Sequence, residues 1–245
     1  MSIVSSDLIF YSSASVPTDD ASTTGGAIDT TARVALTQFT ASAKLSLTSD
    51  GADTRNVTIV GRNAAGSVIT ETVALTNAVE VLSVNTYERL QSVTIASSSG
   101  TRTVTLKQGS GGTTIGTIGL NETKRHIQFQ NSSSASSIQT RYEKQFGKNT
   151  NGANALLGAN VTLTADPQAR IQIGLATAVN DAVTVTNRVT APASVTFVDD
   201  NIAQNVPGTD LASGAAIGVW AQQTLPANDP AAKSTFTLQL AGGTT

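Results

Sequence analysis

The segment NVTIVGRNAAGSVITETVALT, residues 56–76, constrains this chain more than any other stretch. Branched apolar residues alternate with polar ones on both sides of Arg62-Asn63-Ala64-Ala65-Gly66-Ser67, and Gly66 can supply the positive φ of a hairpin loop. A period of two sends successive side chains to opposite faces of a sheet, whereas an amphipathic helix needs apolar residues three and four apart. The segment therefore predicts a β-hairpin, and its neighbours repeat the signal.

Leu45 and Leu47 share a face in Ala43–Ser49, and Asp50-Gly51 makes a turn before Asn56–Arg62. Further strands are expected at Val81–Val84, Ser92–Ala96 and Arg102–Lys107, and Asn85–Leu90 reads as a single helical turn. A second set follows at Arg141–Phe146, Asn160–Ala165, Ala169–Ala176, Ala182–Val189, Ala193–Val198, Ile217–Leu225 and Ser234–Leu240. Short strands punctuated by turns predict an all-β chain of two antiparallel β-sandwich modules, jelly-roll or immunoglobulin-like, rather than alternating βαβ units. The 245 residues suffice for two separate cores.

The expected organisation is an extended N-terminal arm at 1–32, a first module at 33–107, a connector at 108–124 and a second module at 125–245. The arm reading rests on Leu8-Ile9-Phe10-Tyr11, a short apolar run ahead of the polar loop PTDDASTTGGAID (17–29). The connector reading rests on the Gly- and Thr-rich QGSGGTTIGTIGLNETK. NSSSASS (131–137) reads as a long hairpin tip. In Ile217–Leu225, Ile217, Val219 and Ala221 fall on one face, and Trp220 on the other is expected to be a core or rim anchor.

Residue chemistry excludes more than it offers. There is no cysteine, so thiolate nucleophiles, thiolate metal sites and disulfides are ruled out. The one histidine, His126, sits beside Lys124 and Arg125, which discourage its protonation, and is expected at a surface or boundary position. No GxSxG, HExxH or SxxK motif accompanies it, and the Gly-rich stretches lack a phosphate-loop lysine. Asp19, Asp20 and Asp29, or Asp199 and Asp200 with Asn201, could offer oxygen ligands to calcium, but neither group has the spacing of a calcium loop, so both read as turns. No catalytic, cofactor or metal site is expected. A net charge of -2 with 13% charged residues also disfavours nucleic acid and anionic membranes as partners. The segment MSIVSSDLIFYSSASV lacks the basic n-region of a signal peptide and carries Asp7, so no export signal is expected.

Three stretches, SDLIFYSSASVPTDDASTTGGAID, the hairpin with its continuation to YERLQSVTIASSSGTRTVTL, and IGVWAQQTLPANDPAAKSTFTLQLAGG, resemble structural proteins of tailed bacteriophage virions. The resemblance implies a non-enzymatic protein, made in the cytoplasm of the host bacterium, that becomes part of the virion, where it decorates and cements the capsid. Its implied partners are the major capsid protein and copies of itself, as a homotrimer. A tail, neck or baseplate component contacting other tail proteins is the alternative, and a virion-borne carbohydrate-binding module using Trp220 or Tyr142 is a second. On the capsid reading Leu8, Ile9, Phe10 and Tyr11 supply the apolar side of the docking contact, with Asp19 and Asp20 at its rim.

Overall fold

A computed structural model describes residues 2–131, 136–229 and 234–244. The chain is all-β. After a 3-10 turn at Ser5–Asp7, the strands in chain order are β1 (Leu8–Ser15), β2 (Thr24–Asp29), β3 (Ala32–Val34), β4 (Leu45–Ser49), β5 (Asn56–Arg62), β6 (Val68–Ala74), β7 (Val81–Leu82), β8 (Arg89–Ile95) and β9 (Val104–Gln108). They continue as β10 (Thr114–Ile118), β11 (Lys124–His126), β12 (Gln139–Asn149), β13 (Leu157–Ala165), β14 (Ile171–Val179), β15 (Thr184–Val185), β16 (Gln204–Asn205), β17 (Ala216–Leu225) and β18 (Thr237–Gly243).

These strands divide into two units that do not follow the expected boundaries: residues 1–29 join 129–245 in one, and residues 30–128 form the other. In the contiguous unit a four-stranded sheet, β10-β9-β4-β7, and a five-stranded sheet, β3-β11-β8-β5-β6, both feed one hydrophobic cluster. Leu45, Leu47, Val104 and Leu106 come from the first sheet, and Val57, Ile59, Leu90, Val93 and Ile95 from the second. Alternation puts these residues on a single face in β4, β5 and β9, and in β8 a bulge at Gln91, opposite Val60 and Gly61, lets Leu90 join Val93 and Ile95. The hairpin β5–β6 holds an unbroken register from Asn56↔Ala74 to Arg62↔Val68.

Segment 108–124 is no connector. Its glycines make the turn between β9 and β10, and Ile115 and Ile118 of β10 are buried in the core of this unit. The helical turn expected at Asn85–Leu90 is absent as well. Tyr87 instead bridges to Ala43 and is fully buried, and Arg89 and Leu90 already belong to β8, because pairing with β5 outcompetes a lone turn of helix. His126, expected near the surface, is 1% exposed in β11, with Nδ1 3.0 Å from the Ile127 carbonyl oxygen.

In the discontinuous unit the six-stranded sheet runs β14-β17-β12-β1-β2-β15, and a three-stranded sheet runs β16-β13-β18. Ile171, Ile173, Ile217, Val219 and Ala221 from the larger sheet meet Val161, Leu163 and Leu240 from the smaller. The expected faces of β17 hold, and Trp220 is a core anchor at 1% exposure. The N-terminal arm does not exist as such. β1 lies between β12 and β2, with Leu8↔Asn149 through Ser12↔Gln145 on one side and Ser12↔Asp29 on the other. The chain at 182–198, expected as two strands, is mostly turn: only Thr184 and Val185 pair as a strand, and Val198 makes an isolated bridge to Ile173. Most of the proposed hairpin tip at 131–137 lies outside the described residues.

Candidate functional site

β12 is the spine of the larger sheet, paired with β17 from Gln139↔Leu225 to Lys148↔Ala216 and with β1 on its other edge. A strand flanked on both sides should carry apolar residues, yet Arg141, Glu143 and Lys144 are each less than 5% exposed. Charges so placed are tolerated only when paired and hydrogen-bonded, and two loops bring the partners. The loop after β1 delivers Asp20, and the loop after β15 delivers Arg188, whose carbonyl accepts the Tyr142 N–H at 2.7 Å.

Arg141 grips Asp20 in a fork, Nε to Oδ1 at 2.7 Å and Nη2 to Oδ2 at 2.8 Å. Arg188, 1% exposed, donates from Nε to the same Asp20 oxygen at 2.8 Å and from Nη1 to the Gln130 carbonyl at 2.6 Å. Its Nη1 also lies 3.4 Å from Glu143 Oε1, while the Phe129 N–H donates to Glu143 Oε2 at 2.9 Å. Two carboxylates and two guanidiniums thus tie together four stretches of chain separated widely in sequence. The bond to Arg141, with Arg188 beside it, holds the Asp20 carboxyl down at about 2. Burial pushes Glu143 up to about 7 against the opposing pull of the Phe129 N–H and Arg188.

Lys144 makes a second buried ion pair. Its Nζ donates to Asp181 Oδ2 and reaches the carbonyls of Gly26, Asp181 and Val183, each at 3.3 Å. The ammonium also stands 4.8 Å from the Phe146 ring centre and 5.4 Å from that of Trp220, the residue directly opposite it in the register. Burial lowers the Lys144 pKa, and Asp181 works against that shift. Gly25 completes the packing: a Cβ there would sit 2.8 Å from the Trp220 ring and 2.6 Å from the Val183 carbonyl oxygen, and its φ is +98°. Only glycine fits without displacement.

Chemically this arrangement is closed. Glu143 has a near-neutral pKa of the kind a general acid or base needs, but it is 2% exposed and its oxygens face Arg188 and the Phe129 N–H. Every charge is answered by another part of the same chain, so the cluster acts as a clamp on the loops that cross the sheet.

The residues expected to dock a partner are distributed differently. Leu8 and Phe10 pack against the core cluster, and Ile9 and Tyr11 are half-buried, so the run is not a free apolar face. Asp19 is exposed and caps its own loop, accepting the Ala21 N–H at 3.0 Å and the Ser22 hydroxyl at 2.7 Å. Asp20 belongs to the clamp. Of the oxygen-ligand candidates, Asp29 ends β2, and the Asn201 side-chain amide donates to Asp200 as in an ordinary turn. Trp220 is enclosed and Tyr142 packs against Phe197 with ring centres 5.5 Å apart, so the tryptophan offers no platform to a sugar.

The contiguous unit carries a depression of about 400 Å³ lined by Asp53, Arg55, Asn77 and Arg102 among others, with Asp53 and Arg55 already paired at 2.6 Å. Comparison with known proteins returns no matching family model, no matching curated protein and no matching solved structure.

Proposed function

We propose that this chain is a non-enzymatic structural protein of a tailed-phage virion. In this reading two β-sandwich modules decorate and cement the capsid, docking onto major capsid protein subunits and neighbouring copies of the chain. The observation that supports a structural role is the clamp. Its four charged side chains are spent on holding loops to the sheet, with Arg188 1% and Glu143 2% exposed. Such an investment stiffens a scaffold and leaves none of these four side chains poised for chemistry. The virion setting is carried by the resemblance of the three sequence stretches, and multiplicity on a lattice would turn modest contacts into firm attachment.

The test is localisation. Purified particles labelled with an antibody to this chain and imaged by negative-stain microscopy should carry label over the head. Label confined to the tail replaces the capsid reading with the tail, neck or baseplate one, and label on neither removes the virion reading altogether.

A further inference from the structure

β6 is the last strand of its five-stranded sheet. The Leu75 N–H donates to the Arg55 carbonyl and the Asn63 N–H to the Ser67 carbonyl, which makes the odd-numbered residues of β6 the ones bonded to β5. The N–H and C=O groups of Val68, Thr70, Thr72 and Ala74 therefore point outward, beyond the ladder. All four residues are exposed, and Val68 is 49% so. Natural sheets usually blunt such an edge with lysine, proline, a bulge or a very short strand. β6 has none of these four: it is seven residues long, VITETVA, with a regular register, and its single charge, Glu71, points inward.

The sequence of this edge also reads nearly the same in both directions about Glu71. Thr70 mirrors Thr72, Ile69 mirrors Val73, and Val68 mirrors Ala74. We infer that β6 is a self-association edge, on which β6 of a second copy pairs antiparallel about a two-fold axis through Glu71. In that register the outward-pointing residues meet as hydrogen-bonded pairs, Val68 with Ala74 and Thr70 with Thr72 of the second copy, twice each. Every outward group of the strand is then satisfied, which pairings centred on Thr70 or Thr72 do not achieve.

The side chains agree with the backbone. Directly opposed residues share a face, so the exposed threonines form cross-strand Thr–Thr pairs and the core-facing Ile69 and Val73 stay on their own side. Two five-stranded sheets become one continuous sheet. The adverse feature is Glu71 opposite its own copy. Its carboxylate turns inward, accepting the Asn85 N–H and side-chain amide, each at 2.9 Å, and the Val84 N–H. Burial alone would raise its pKa, but these donors hold it below the usual carboxylate value. The bond from Val84 also brings that residue, 79% exposed, close to the axis, where it gains an apolar partner in its counterpart. The contact is isologous and closes at two chains.

This inference goes beyond the virion reading, since purified chains suffice to make the contact. Sedimentation velocity of the full chain from about 1 to about 200 μM, where associations of ordinary strength are visible, should show the mass moving from one chain towards two. Thr70→Lys/Thr72→Lys places four ammonium groups across the axis on side chains that face solvent in the single chain. It should raise the dissociation constant at least about tenfold, with an unchanged far-UV spectrum and unchanged calorimetric unfolding of the whole chain. Because the chain has no cysteine, Thr70→Cys/Thr72→Cys reports the register: mild oxidation should give a covalent pair, as opposed residues in a hydrogen-bonded position lie about 5.5 Å apart at Cα. A wild-type chain that stays single throughout, or a lysine variant that pairs as well as wild type, overturns the inference. Neither result bears on where the protein sits on a particle.

Discussion

Replacing Arg188 with methionine tests the clamp most directly, since the new side chain keeps much of the apolar volume and loses every donor. Arg188 is 1% exposed and bonds Asp20 at 2.8 Å, the Gln130 carbonyl at 2.6 Å and Glu143 at 3.4 Å. Removing one member of a buried ionic network costs about 3–5 kcal/mol, because the remaining groups keep their desolvation and lose their partner. Part of that cost should depend on pH. In the wild type, Glu143 in the folded state ionises at about 7. Without Arg188 its folded pKa rises further, so between pH 7 and 8 the variant retains a proton that the wild type releases. Linkage converts that interval to roughly 1 kcal/mol of additional loss at pH 8. At pH 5 both folded forms are protonated at Glu143 and this part vanishes. Urea unfolding followed by the fluorescence of Trp220, the single tryptophan and a core residue of the same unit, measures the quantity at both pH values. A loss under about 1 kcal/mol at pH 8 would refute the clamp, and a loss that is the same at both pH values would refute the placement of the charge on Glu143. If the methionine variant does not fold, Arg188→Lys at the same two pH values supplies the comparison.

Wild-type stability should itself fall as pH rises from about 4.5 through about 7, by roughly 3 kcal/mol for Glu143, whose folded pKa is raised and whose contribution is complete below the unfolded value. Asp20 works in the opposite direction: its depressed pKa gives stability that is present above 3.8 and lost as pH falls through about 2, so Asp20→Asn, which lacks that phase, should show a shallower fall of stability in urea unfolding between about pH 4 and about pH 2. Gly25→Ala should lower the unfolding free energy of the Trp220-containing unit by about 2 kcal/mol or more, whereas Gly66→Ala, at φ +80° with nothing within 4 Å of its Cβ, should cost only about 1 kcal/mol in a chemical-denaturation measurement. Lys144→Met should destabilise by about 3 kcal/mol by leaving Asp181 without its cation, and adding Asp181→Asn should recover part of the loss in a double-mutant cycle.

Much of the strand content was legible because period-two alternation is a local property. The hairpin β5–β6 and the faces of β17 follow from it directly. β1 was misread for an equally physical reason: LIFY is apolar at every position, and a short continuous run looks the same whether it lies against one surface or in the middle of a sheet. β10 was hidden by the glycines around it, although Thr114-Ile115-Gly116-Thr117-Ile118 has the branched residues of a strand. The clamp could not be read at all. Arg141 and Glu143 look like the polar face of a half-exposed strand until Asp20, 121 positions from Arg141, and Arg188, 45 from Glu143, are brought against them. The available hint was three charges within four residues, Arg141, Glu143 and Lys144, in a chain of which only 13% is charged.

The split of one unit across the sequence imposes an order of events during synthesis. Residues 30–128 contain all the strands of their own two sheets and can fold as soon as they emerge. β1 and β2 cannot finish: β12, the neighbour of β1, begins at Gln139, 110 residues after Asp29. At ordinary translation rates of about 5–20 residues per second, that interval lasts on the order of 10 s. For that time a two-stranded ribbon bearing Leu8, Ile9 and Phe10 waits on the ribosome with an open edge, too small to be stable alone. Nascent copies on one polysome are then most vulnerable to pairing with each other, and a chaperone that shields extended apolar segments would be needed here rather than at the contiguous unit.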